Sequence, residues 1–96
     1  MRWTEAEYVA YLEAERHLFA WCLERYGGVS KEEAVKQALV RYPYQPAGTR
    51  LRGLIFHDQA WYWAMLHIKG QFYWMVNPEL GRPSDEYDEE SRGLSR

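Results

Sequence analysis

Ninety-six residues with 47% hydrophobic content are enough for one domain with its own core, and a single cysteine, Cys22, excludes an intramolecular disulfide. A formal net charge of −2 with only three lysines argues against nucleic acid and against an anionic membrane surface as partners. The opening Met1-Arg2-Trp3-Thr4-Glu5 has no apolar run resembling a signal peptide, so a reducing, cytoplasmic setting is expected.

Thr4 with Glu7 three residues on has the capping-box spacing, and Gly27-Gly28 ends the pattern, which predicts a first helix over Thr4 to Tyr26. Tyr8, Tyr11, Leu12, Leu18, Phe19, Cys22, Leu23 and Tyr26 gather on one broad face of it, as a core-facing helix requires. A thinner stripe, Trp3, Ala10, Ala14 and Trp21, repeats at seven, four and seven residues, close to a coiled-coil seam. Small residues between two tryptophans let another helix approach closely. That helix is either the third one of the same chain or a second subunit, and these four residues are the candidate interface.

Ser30, with Glu33 three residues on, starts a second helix to Tyr42, whose buried face is predicted to hold Ala34, Val35, Ala38, Leu39 and Tyr42. Pro43 and Pro46 then hold the connection extended. Arg50 to Phe56 reads as an extended segment, because Gly53 argues against a helix running on from Thr49. The alternatives are a lead-in turn of the next helix, or an α+β arrangement pairing strands at 51–56 and 72–76, marginal for two strands alone.

Phe56 to Trp74 holds seven of the sixteen aromatic side chains, and the chain is organised around it. Asp58 as N-cap and Gly70 past the end predict a third helix from Asp58 to Lys69 with Trp61, Ala64, Met65 and Ile68 on one side. It is too short and too often interrupted to span a bilayer, which needs about 20 apolar residues. Phe72, Tyr73 and Trp74 are expected to fold back as a short aromatic hook. From Gly81 the composition turns polar and acidic, with too little apolar area to offset ordering entropy, so 81–96 is expected to be a disordered acidic tail following a single helical domain over 1–80. The expected fold is mainly α, a small three-helix bundle.

Glu15 is the polar residue that does not fit, since it projects into the middle of the apolar face of the first helix. A carboxylate there is paired, hydrogen-bonded or functional. An arginine of Arg50-Leu51-Arg52, a tyrosine hydroxyl or an indole would satisfy it structurally. In a ligand-binding reading, Glu15, His57 and Asp58 are the polar groups of an aromatic pocket beside Trp61. A metal site is not expected, because His57 and His67 lie about 80° apart in helical phase and no HxxxH, HExxH or CxxC occurs. Cys22 projects into the core and Ser30 is used as a cap, so no catalytic residue and no cofactor are assigned. Arg41, Tyr42, Tyr44, Arg50 and Arg52 form an arginine–tyrosine cluster suited to an acidic or proline-rich peptide or to stacked bases. The functional expectation is a non-enzymatic interaction module that forms a homodimer or meets another protein, with a small-molecule binder or enzyme as the competing class.

Overall fold

A computed structural model describes residues 3–94. The chain is mainly α, with five α-helices, two short 3-10 turns and no strand among the described residues. Helix α1, Glu5–Gly27, is capped as its sequence dictates. The Thr4 hydroxyl accepts from the Glu7 N–H at 3.1 Å, and the Glu7 carboxylate accepts from the Thr4 N–H at 3.0 Å. At the other end Gly28 takes the left-handed conformation with φ 65°, where a side chain would be strained. Tyr8, Leu12, Leu18, Phe19, Cys22 and Leu23 are buried along one face, and both α2, Lys31–Arg41, and α3, Ala60–Lys69, pack on this helix.

Helix α2 starts from the Ser30 cap and buries a narrower face than its sequence predicts. Ala34 and Ala38 are buried, and so is its C-cap residue Tyr42, whereas Val35 and Leu39 keep 46% and 50% of their surface. The buried alanines form the side of α2 that meets α1.

The connection does not run extended through 50–56. It turns through 50–53 and forms a 3-10 turn at Leu54–His57. Gly53 has φ 81°, and a Cβ there would lie 2.5 Å from the Trp3 indole nitrogen, so the close approach of Trp3 requires glycine. Leu51, with φ 58°, sits in the same left-handed region without that licence. Arg52 fastens the loop to α1. Its Nε donates to the Gln45 carbonyl at 2.8 Å, its terminal nitrogen meets Glu5 at 2.7 Å, and its guanidinium lies 3.8 Å from the centre of the Tyr8 ring.

Helix α3 buries Ala60, Trp61, Ala64 and Met65, with Ile68 packed at its end. Its N-cap lies one residue later than expected. Asp58 is exposed and outside the helix, and Gln59 is the N-cap without a side-chain hydrogen bond. The hook is one helical turn, α4, Tyr73–Val76, then a 3-10 turn over Pro78–Gly81. It buries Tyr73 but leaves Phe72, Met75 and Val76 outside.

The expectation of a disordered tail fails for residues 85–92. They form helix α5, Asp85–Arg92, capped by Ser84 and docked on α1, with Tyr87 1% exposed. One large aromatic anchor, not the average composition, decides whether so short an arm is ordered.

Candidate functional site

The four candidate ligand residues are not brought together. Glu15 and Trp61 are both buried in the core, and His57 and Asp58 lie at the surface. Glu15, 2% exposed, accepts a hydrogen bond at 3.2 Å from the backbone N–H of Ala60, the first residue of α3. The next N–H, that of Trp61, donates to the Tyr87 hydroxyl at 3.3 Å. Two side chains from α1 and α5 thus satisfy the amides that Gln59 leaves open, and a carboxylate sits at the positive end of the helix. Arg52, the arginine within reach by sequence, pairs with Glu5 instead.

The surroundings of Glu15 are acidic groups held protonated. Burial, and then the charge of Glu15, pushes the Cys22 thiol up to about 12, where it is neither nucleophile nor metal ligand. Burial and the same charge raise the Tyr42 phenol well above its ordinary range. The Tyr42 hydroxyl has no hydrogen-bond partner among the described residues. The Trp61 indole N–H donates to the Leu80 carbonyl at 2.9 Å, which ties α3 to the segment before α5.

The arginine–tyrosine cluster is largely spent on the fold. Arg41 stacks at 3.8 Å over the ring of Trp63, Arg52 is enclosed as described, and Tyr44 donates to Glu5 at 2.5 Å. Among the described residues no group of three or more His, Cys, Asp or Glu side chains is placed to hold a metal ion, and no helix is long and apolar enough to cross a membrane.

Among the described residues the surface includes open cavities between these elements. One, of about 370 Å³, lies among Trp3, Tyr11, Leu51, Leu54, Phe56 and His57. Another, of about 360 Å³, is a groove between α1 and α2. Ala20 and Ala38 form its floor. Trp21 of α1 faces Val35 and Leu39 of α2 across it, and Glu13, Arg16, His17, Glu24 and Lys31 edge it. The candidate interface stripe runs beside both openings. Ala14 is buried and Ala10 half-buried, Trp3 packs against Tyr11 and Phe56 at the first cavity, and Trp21 packs against Tyr26 and Tyr87 at the second.

Of this groove, sequence patterning singles out only Trp21 as an interface residue and assigns Val35 and Leu39 to the core. The signal for α2's two faces lies in the residue sizes. Ala34 and Ala38, four apart, form the row that meets α1, and the bulkier Val35 and Leu39, also four apart, form the row beside it. Comparison with protein-family models, with curated proteins and with solved structures gives no match to this chain, so its function rests on this geometry.

Proposed function

We propose that this protein is a non-enzymatic interaction module of a reducing, cytoplasmic setting, and that it self-associates through the groove between α1 and α2. The observation that carries the reading is the row of Val35 and Leu39, each about half exposed, beside a groove lined by Trp21. Contiguous apolar surface framed by charge is what contacts with other proteins use. The rim favours a second copy over a strongly charged partner. It carries Glu13 and Glu24 with Arg16 and Lys31, so it is balanced in sign, and a twofold axis sets such a rim against itself with opposite charges available to pair. The Val35–Leu39 row of each protomer then enters the groove of the other.

Leu39→Glu tests this. It places a charge in the contact while changing little in the monomer, whose core lies on the Ala34–Ala38 side. Sedimentation equilibrium is expected to show a dimer for the native chain and a monomer for Leu39→Glu, with melting of the monomeric variant within about 0.5 kcal/mol of that expected for a surface change. A native chain that is monomeric at every concentration refutes the reading.

A second reading has its own observation. The cavity beside His57 is lined by Trp3, Tyr11 and Phe56 and contains the left-handed Leu51, and strained backbone concentrates at binding sites. A flat apolar molecule with one hydrogen-bonding group suits it, with His57 as the polar contact. Chemical-shift changes confined to the Trp3 and His57 rings on adding indole separate this reading from the first.

A further inference from the structure

Trp21 and His17, which form wall and rim of the α1–α2 groove, are also the residues that α5 holds. The Tyr87 ring meets the Trp21 indole edge-on at 6.4 Å, and Glu90 reaches His17 at 2.6 Å. No other side chain of α5 is buried. Tyr87 also packs on Trp61 at 5.5 Å and accepts the Trp61 backbone N–H. Leu94, just past the helix, packs on the core, and at the surface Glu86 pairs with Arg25 and with the Tyr26 hydroxyl, which in turn shares a hydrogen bond of 2.7 Å with Ser84.

Eight residues with five acids do not sustain a helix in water, so α5 is helical because it is docked. Its point of departure is fixed, since Trp61 grips the Leu80 carbonyl, whereas Arg82 and Ser84 are extended on either side of Pro83. Such an arm has two states, docked and released, set apart chiefly by the Tyr87 anchor, the packing of Leu94 just beyond the helix, and polar contacts at the surface.

We propose that α5 is a strap that controls self-association through the α1–α2 groove, a step that rests on that groove being the dimer contact. Docked, it holds the Trp21 indole and the His17 imidazole in the orientation that the second copy meets. Released, the Trp21 indole keeps only its edge contact with Tyr26 and His17 loses the Glu90 carboxylate, and association must order both before the groove has its shape. Strap docking and dimerisation are therefore linked, and each strengthens the other by the same factor.

The full-length chain tests this in a dilution series by analytical ultracentrifugation, comparing the native protein with Tyr87→Phe and with the double variant Glu86→Gln/Glu90→Gln. None of these residues lines the groove, and the double variant changes only surface groups, so it stays folded even where Tyr87→Phe does not. Tyr87→Phe is expected to raise the dimer Kd by at least about fivefold, the lower end of ordinary coupling between sites, and the double variant, which removes only exposed pairs, to raise it by a smaller factor that vanishes in high salt. Hydrogen exchange of the amides at 85–92 in the native chain is expected to slow as protein concentration rises through that Kd. Variants that dimerise with the native Kd, together with exchange at 85–92 indifferent to concentration, overturn the strap while leaving the groove in place. A native chain that never dimerises overturns the groove, and the strap with it.

Discussion

Glu15 shows how a charged residue comes to occupy the middle of an apolar helix face. It is there because α3 begins in the interior with no side-chain cap of its own, and open amides in the core cost more than a carboxylate that accepts from them. Glu15→Ala removes the acceptor from the Ala60 N–H and is expected to cost about 2 kcal/mol in urea denaturation. Glu15→Gln keeps an oxygen at that point but gives up the charge at the helix end, and is expected to cost about 1 kcal/mol or less. Equal losses from both variants would mean that the charge, not the hydrogen bond, is what the fold uses. The neighbours of Glu15 make a second prediction. The Cys22 thiol has an ordinary pKa of 9.0 in the unfolded chain and about 12 in the native one, so the native state holds its proton more tightly and stability falls as pH rises from 9 towards 12. Tyr42 is raised in the same direction and adds to the fall at higher pH. One such group contributes a slope of at most about 1.4 kcal/mol per pH unit, and Cys22→Ala is expected to flatten the dependence on pH above 9 in chemical denaturation, whatever it does to stability at pH 7. An unchanged slope would show that the thiol ionises as freely folded as unfolded.

At the level of elements, legibility in the sequence follows the distance over which an element is specified. Both ends of α1 are written locally, in Thr4 with Glu7 and in Gly28, and they are where the spacing predicts. The buried face of α3 is equally local, because Trp61, Ala64 and Met65 share one helical side. Its start is not local, since the acceptors that fix it come from Glu15 and Tyr87, 45 and 26 positions away. Asp58 is a good cap by residue type and is passed over. The turn at 50–53 is hidden for another reason. Gly53 announces a left-handed residue, but leucine at 51 does not, and the residue beside it, Arg52, is held by the distant Gln45 carbonyl and by Glu5 of α1. For α5 the composition argument averages over sixteen residues what one residue decides. Ser84 followed by Asp85 and Glu86 is a helix start, and Tyr87 is the one large side chain positioned to anchor it. Of the α1–α2 groove only Trp21 is legible, because Val35 and Leu39 look like core residues until Ala34 and Ala38 beside them are seen to be the buried ones.

In the whole molecule, α1 is the common partner. It touches α2, α3 and α5, while α4 is attached mainly to the turn after it and to the end of α3. Cohesion is therefore graded from the middle of α1 outward. Leu18, Phe19, Cys22 and Leu23 are fully enclosed, so their amides open only when the molecule unfolds. The amides of α5 are protected by one tyrosine and by ion pairs whose side chains are about half exposed, which contribute little and are screened by salt. Native-state hydrogen exchange at low protein concentration is expected to separate the two, with residues 18–23 exchanging at the global unfolding free energy and residues 86–92 at a distinctly smaller one. Raising salt should lower the second value and leave the first nearly unchanged, since burial and not charge holds α1. If α5 exchanged with the same free energy as the centre of α1, and kept it in high salt, the arm would be a permanent part of the core, with no separate opening available for a partner to bias.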